Sequence, residues 1–354
     1  MLNNIKLVYL DQIIGSLLIP VALLNKVINK FISIKCIDSK KIVVVKFLGV
    51  GNFIAINDHL ENKLLITSIK NKNILKAFGR QEVIYIDDSG IGKLFFSTLR
   101  LITKLIFTKY LAVINLESES RFAKSLCLFA SPQDSCGLSS SNRSILDSLI
   151  YKRYLVKSES ISMTDAYLYL LNGVLTVNSD LNEYYSTMLD RRGVMIEWEK
   201  INTVAIYPSC SSTDRLRRLS NEDLSELGQS ILNKGKNLNF YLQSKDDEQY
   251  LFLISKFPNN TILSGAHEFV DSIKKADLVI TIDSLALHVA QNYDKHIVAY
   301  YGPTSPTNIK FSAKVVPIYN PYICSPCTHK YFNKPCNDSA YCMKIEKSKF
   351  KIYE

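Results

Sequence analysis

The sequence predicts an α/β protein built from two Rossmann-like halves, and three observations carry that expectation. Short continuous apolar runs, such as KIVVVKFL from Lys41 and LVITI from Leu278, alternate with helical periodicity along the chain; strands buried on both faces by crossover helices give this pattern. Small and polar residues stand at the carboxyl ends of those runs, at Gly49-Val50-Gly51-Asn52, Ser209, Asp283-Ser284 and Gly302-Pro303-Thr304, where an open parallel sheet forms its ligand crevice. The length of 354 residues suits about two domains. A hydrophobic content of 47% with 21% charged residues excludes a disordered chain.

The formal net charge of +10 favours an anionic partner: a membrane surface, a nucleic acid or a phosphorylated substrate. No RNA- or DNA-binding motif with interleaved aromatics appears, so nucleic acid ranks last among these and is not an expected partner. Of the eight cysteines, Cys36, Cys127, Cys136 and Cys210 are scattered and read as buried thiols in a reducing compartment. The amino-terminal segment lacks a small-residue cleavage site, so no secretory signal is expected.

Residues 1–40 contain DQIIGSLLIPVALLNKVINKFI, interrupted by Gly15 and Pro20. The apolar run is short for a membrane span and Lys26 and Lys30 follow it, which predicts an amphipathic helix lying in a membrane interface; a helix packed on the domain is the alternative. From Lys41 a strand enters the Gly49-Val50-Gly51-Asn52 turn, and FIAINDHLENKLLIT follows as a helix. Next come a strand from Glu82 to Asp88, a basic apolar helix from Lys93 to about Thr108, and a strand from Leu111 to Glu117. The helix after it turns Phe122, Leu126 and Phe129 inward. Glu117, at a strand's carboxyl end, either caps that helix, pairs with Arg121 or serves the cleft edge. Pro132 to Ser144 reads as a Ser-rich loop. Asp147 to Val174 reads as helical, with Tyr151, Tyr154, Tyr167 and Tyr169 in the core rather than facing a sugar. Arg191-Arg192-Gly193 marks a hinge, with the domain boundary near residue 195.

The second half opens with a strand from Thr203 to Pro208 and a loop holding Ser209, Ser211, Ser212, Arg215, Arg217 and Arg218. Hydroxyls and guanidinium groups after a parallel strand suit a diphosphate; Arg215 and Arg218 read as solvated charges. Ser220 caps a helix with Asp223 three residues on and Leu224, Leu227 and Ile231 on one face. Another strand and loop run from Leu238 to Asp247. In the stretch from Ala276 to Pro306 a strand ends at Asp283-Ser284 and a helix carries His288. Either residue of that pair simply caps the helix, or the helix start directs its free N–H groups at a phosphate. The tail reads Cys324-x2-Cys327-x8-Cys336-x5-Cys342. Four thiolates at this spacing can close a tetrahedral structural site for zinc or iron, with His329 as a substitute ligand; free buried cysteines are the alternative. No ligand position is left open, so no catalytic metal is expected.

DSLALHVA (Asp283 to Ala290) followed by VAYYGPTSP (Val298 to Pro306) resembles the donor-site signature of glycosyltransferase family 9, the ADP-heptose:lipopolysaccharide heptosyltransferases and their relatives. Leu285 stands where the family pattern has Gly. Leu116-Glu117 with Ser120-Arg121-Phe122-Ala123, and the Cys-Ser-Pro-Cys, Pro-Cys and Cys-Met elements of the tail, resemble a subgroup of that family. The resemblance implies a GT-B arrangement of two Rossmann-like domains facing across a cleft: acceptor side at 41–195, nucleotide-sugar side at 196–320, with the Cys-rich tail at 321–354 as a clasp. It implies inverting transfer of a sugar, heptose or a related one, from a nucleotide-diphosphate donor such as ADP-heptose to a lipopolysaccharide-type or other glycan or glycolipid acceptor. The chain would then be cytoplasmic and peripheral to the inner membrane.

Carried onto this sequence, the substrate-binding positions are Gly51, Ser209, Arg217, Asp283, Ser284, His288, Gly302 and Thr304. Arg217 takes the family's basic position by alignment of the following helix. Gln243-Ser244-Lys245 replaces a Gly-rich loop, leaving the mode of base recognition open. Asn52 takes the position of the family's Asp base; an amide accepts no proton at neutral pH, so Glu117 is the alternative base. If neither serves, the chain is a catalytically degenerate nucleotide-sugar-binding or assembly protein. A metal-dependent interaction module built on the tail is the third reading.

Overall fold

The computed structural model describes residues 4–31, 35, 37–130, 134–139, 145–156, 161–172, 196–210, 215–312, 314–320, 322–328, 336 and 339–344. The chain forms two compact units, Met1–Val50 with Ile56–Val177, and Gly51–Ala55 with Asn178–Glu354. The expected hinge at Arg191–Gly193 lies outside the described residues.

The first unit holds β1 (Ile37–Val45), β2 (Leu64–Ser68), β3 (Val83–Ile86), β4 (Thr108–Asn115), β5 (Asp134–Ser139) and β6 (Arg153–Val156). They pair in parallel in the order β3-β2-β1-β4-β5-β6. Val43, Val44 and Val45 are fully buried because both faces of the sheet are covered. Three segments differ from the sequence expectation. Residues 50–68 do not form one helix: α2 (Val50–Ala55) and a short 3₁₀ turn give way to β2, all of whose residues are buried, and α3 (Lys72–Ala77) follows. The expected Ser-rich loop contains β5, whose hydroxyls are satisfied internally, Ser135 donating to the Ile150 carbonyl and Ser139 to Asp147. The Tyr-rich region is two helices, α6 (Ile145–Ile150) and α7 (Met163–Asn172), with β6 between them. Tyr151 and Tyr167 are buried core residues, as expected. Gly137 of β5 leaves room for the Tyr151 ring, which a Cβ there would meet at 2.6 Å, and the Asn115 amide donates to the Tyr151 hydroxyl at 2.6 Å.

α1 (Asn4–Phe31) runs as one helix through Gly15 and Pro20. It is long and apolar enough to cross a membrane by length and composition, yet one face is fastened to α5 (Arg121–Ala130). The Asp11 carboxylate accepts from the Ser120 hydroxyl and the Arg121 N–H at the start of α5. The Gly15 backbone stands so close to Arg121 and Phe122 that a side chain would not fit. Asn25 donates to the Phe129 carbonyl and Lys26 to the Leu149 carbonyl. Lys35 donates to the carbonyls of Leu105, Thr108 and Ala130, satisfying carbonyls near the ends of α4 (Ile91–Phe107) and α5. α1, α4 and α5 share one apolar cluster with the sheet.

In the second unit β7 (Thr203–Tyr207), β8 (Asn237–Leu242), β9 (Thr261–Leu263), β10 (Leu278–Ile282), β11 (His296–Tyr301) and β12 (Val315–Tyr319) pair in parallel in the order β12-β11-β10-β7-β8-β9. The expected Ser220 cap is present: its hydroxyl accepts from the Asp223 N–H at 3.0 Å and starts α8 (Asn221–Asn233), which buries Leu224, Leu227 and Ile231. Helices α9 (Glu248–Lys256), α10 (Ala266–Lys275) and α11 (Leu285–Asn292) complete the unit.

Candidate functional site

In the second sheet the chain builds outward from β7 through β8 and β9, then returns to place β10 on the other side of β7. The loops after β7 and β10 therefore leave in opposite directions, opening the crevice where such sheets bind ligands. Arg217 spans it. The residue ends a 3₁₀ turn in the loop after β7, and its Nη1 donates to the Asp283 carbonyl at 2.9 Å and lies 3.5 Å from the Asp283 carboxylate. A guanidinium is thereby fixed beside the start of α11, adding a full positive charge to a helix end that already favours anions.

Ser284 is the N-cap of α11, its hydroxyl accepting from the Ala286 N–H at 3.3 Å and meeting Thr281 Oγ1 at 3.1 Å. Leu285 occupies the first helical position. His288 lies one turn on and is buried, and its Nδ1 has no hydrogen-bond partner among the described residues. Burial lowers the imidazole's pKa, Arg217 adds to the shift and Asp283 opposes it, so the ring is neutral at neutral pH. Thr304, in the turn after the neighbouring strand β11, is also buried with an unpartnered Oγ1. A buried polar atom left unpaired costs about 1–3 kcal/mol. The two lie on the segments that follow adjacent strands, His288 in the helix after β10 and Thr304 in the turn after β11.

Other sequence-derived residues have structural partners. Ser209 donates to the Asp247 carboxylate at 3.0 Å. Arg218, expected as a solvated charge, instead makes two bonds to that carboxylate, at 2.8 and 3.0 Å, with both side chains largely buried. The pair braces the loop that carries Arg217. Sequence periodicity could not reveal it, because Asp247 belongs to the next βα connection. Arg215 is exposed, as expected, and lies 3.5 Å from Glu248. Ser211 and Ser212 lie outside the described residues.

Gly302 is backed by the tail: a Cβ there would meet Met343 Sδ at 2.7 Å and Cys342 Sγ at 2.8 Å. The N–H groups of Cys327 and Thr328 both donate to the Pro303 carbonyl, at 2.9 and 2.8 Å. The tail thus buttresses the Gly-Pro-Thr turn through backbone bonds and packing. Cys327 and Cys342 are buried, and Cys324 and Cys336 half-buried. Among the described residues no three Cys, His, Asp or Glu side chains converge on a point that would hold a metal ion. His329 lies outside the described residues.

Residues 51–55 group with the second unit. Gly51 backs onto the His288 ring with no room for a side chain, and Asn52 is half-buried in α2. In the first unit Glu117 neither caps α5 nor pairs with Arg121. Its Oε1 accepts from the N–H groups of Phe47 and Leu48, each at 2.8 Å, and lies 3.4 Å from the Lys46 ammonium. Burial alone would discharge Lys46, but Glu117 and Tyr167 outweigh it and raise the ammonium's pKa. Arg121 donates instead to Ser16.

The profile of glycosyltransferase family 9 (heptosyltransferase) matches residues 98–336. A glycosyltransferase family 9 structure from Veillonella parvula is 17% identical, covers 80% of this chain and 86% of its own, and superposes with a TM-score of 0.59. The E. coli ADP-heptose LPS heptosyltransferase II is 17% identical, with 79% and 90% covered and a TM-score of 0.56. E. coli heptosyltransferase WaaC with ADP-2-deoxy-2-fluoro heptose is 13% identical, with 79% and 93% covered and a TM-score of 0.57. At these identities the structures establish a shared fold, of GT-B type, and no curated protein matches significantly by sequence. The profile, which takes in β4–β6 of the first sheet, the whole second sheet, Arg217, His288 and the Gly-Pro-Thr turn, establishes more: this chain belongs to glycosyltransferase family 9, the heptosyltransferases.

Proposed function

We propose that this glycosyltransferase takes an ADP-activated heptose or a closely related sugar as donor and a lipid-linked glycan as acceptor. The observation that carries the donor half is the pair of buried, unpartnered atoms, His288 Nδ1 and Thr304 Oγ1, beside an Arg217 fixed at a helix start. In this reading Arg217 and the first N–H groups of α11 hold the diphosphate and stabilise the charge it gains as the bond to the anomeric carbon breaks. Ser284 shapes that helix start, Asp283 fixes the guanidinium, and Ser209 belongs to the bracing network around Asp247. His288 and Thr304 complete their hydrogen bonding on the donor, and Gly302 keeps the turn close to it.

The acceptor hydroxyl attacks the anomeric carbon from the face opposite the diphosphate, inverting the configuration. Asn52 is proposed to orient that hydroxyl through its amide oxygen. Glu117, with Oε1 already taken by three donors, is proposed as the anchor of the loop after β1 rather than the base. The hydroxyl then sheds its proton to water as the new bond forms. A donor-binding protein that does not transfer is the second reading, favoured by the amide at position 52. Incubation with ADP-sugars and a panel of lipopolysaccharide-core acceptors separates the two: transfer to one acceptor supports the first, whereas saturable binding with no donor consumed across the panel supports the second.

The membrane role proposed for α1 is that of an interfacial helix at the cytoplasmic face of the inner membrane. Polar fastenings along its inner face at Asp11, Asn25 and Lys26 support a helix that lies on a bilayer rather than crosses it. A structural zinc or iron held by Cys324, Cys327, Cys336 and Cys342 is proposed only as a test of the tail. Metal content below about a tenth of stoichiometric in purified protein would remove it.

A further inference from the structure

Outside the crevice, the most unusual surface is the outward face of α4. Ile91, Phe95, Phe96, Leu99 and Phe107 are between 41% and 70% exposed, although the same helix buries Leu94, Leu101, Ile102 and Leu105. Single exposed apolar residues need no explanation, but three aromatic rings on one short helix do. The exposed side also carries Lys93, Arg100 and Lys104, and the helix contains no carboxylate. Beside its carboxyl half lies an open groove of about 720 Å³ whose lining includes Ile37, Leu64 and Phe107 together with Lys41, Arg100 and Lys104. Lys41 is paired with Glu82.

α4 and α1 both pack on α5. α1 likewise turns a line of apolar residues outward, among them Ile13, Leu17, Leu24 and Phe31. Its sole carboxylate, Asp11, is engaged by the start of α5. The two exposed faces divide the requirements of a membrane surface between them: α1 is mainly apolar, and α4 mixes rings with cations. A second copy of the chain is a poor occupant for α4, because its basic side chains would meet their like across a symmetric contact.

We propose that the outward face of α4, with its adjoining groove, docks on an anionic phospholipid bilayer and sets the protein's preference for anionic over zwitterionic lipid. Phe95, Phe96 and Phe107 enter the boundary between headgroups and acyl chains, and Lys93, Arg100 and Lys104 meet lipid phosphates. This deepens the interfacial reading of α1 by adding a second element with a separable role.

Flotation of the full-length protein with phosphatidylcholine vesicles, or with vesicles also containing phosphatidylglycerol, tests it. Wild-type protein should prefer the anionic vesicles. Each basic side chain near an anionic surface contributes about fivefold in binding, so Arg100→Glu with Lys104→Glu should lower binding to the anionic vesicles at least about 25-fold and leave the weaker phosphatidylcholine binding unchanged. Phe95→Ser with Phe96→Ser should lower binding to both. Ile13→Ser with Leu17→Ser in α1 should lower both while keeping the lipid preference. Thermal unfolding and ADP binding at wild-type values verify that each variant is folded. Undiminished anionic binding by folded Arg100→Glu/Lys104→Glu protein overturns the α4 proposal while leaving α1 standing. Loss of binding with the α4 pairs but not the α1 pair removes the α1 reading and keeps this one. A wild type that floats with neither vesicle removes both, and a wild-type dimer broken by the Phe95/Phe96 pair assigns the face to a second copy.

Discussion

Each sheet has a charged side chain across its switch point, and the two sites could hardly be finished more differently. In the first unit Glu117, after β4, reaches to the loop after β1, and its Oε1 meets two backbone N–H groups and an ammonium. Around it Asn115 bonds Tyr151, and Lys124 pairs with Asp147 at 2.6 Å. In the second unit Arg217 reaches from the loop after β7 to the end of β10, but His288 Nδ1 and Thr304 Oγ1, on the segments after β10 and β11, have no partners among the described residues. A completed polar network is scaffold, whereas the incomplete one beside Arg217 is the one proposed to receive the donor. The same topological feature thus serves as a rivet in one unit and is the proposed donor site in the other.

The sharpest way to break that contrast is at the two bridging charges. Arg217→Ala should weaken ADP binding about tenfold and slow transfer at least about 100-fold, with Arg217→Lys recovering only part because the planar fork is lost. Glu117→Gln should leave ADP affinity unchanged and lower unfolding stability by about 1–3 kcal/mol, read by denaturant melts. Were Glu117 the base, turnover would collapse at unchanged stability and the acid limb of the pH–rate profile would disappear. Thr304→Val separates the two kinds of network from the other side. It should weaken donor binding about tenfold, yet leave the ligand-free protein as stable or more so, because a buried hydroxyl with no partner is replaced by an isosteric methyl. A smaller effect concerns His288. Its folded pKa lies below the ordinary value of 6.5, so between the two values the unfolded chain binds a proton that the folded chain does not. Stability should therefore fall as pH drops from 6.5 toward the folded value, and His288→Gln should flatten that slope.

The same contrast explains what could be read from the chain alone. Apolar strands such as β1, β7, β10 and β11 announce themselves, since burial on both faces demands Val, Ile and Leu in sequence. β5 hides because its serines are buried with partners supplied from α6 and its carboxyl end, and β2 hides because its apolar run continues a helical-looking stretch. The crevice was legible at Asp283, Ser284, His288 and the Gly-Pro-Thr turn, where strand, cap, helix and strand are contiguous. Partners distant in sequence were not: the Arg218–Asp247 brace, the capture of Phe47 and Leu48 by Glu117, and the Asp11 latch on α5 each join separate elements. Composition gave the tail its four thiols, but the bonds that place it run through the backbone of Cys327 and Thr328 to Pro303.

The most direct test of the central claim is calorimetric titration of ADP into wild-type protein and the Arg217→Ala and His288→Ala variants. Wild-type protein should show saturable one-site binding, weakened at least about tenfold in each folded variant. Folded wild-type protein that binds no ADP, or variants that bind it as tightly as the wild type, would contradict the assignment of the β7–β10 crevice as the donor site.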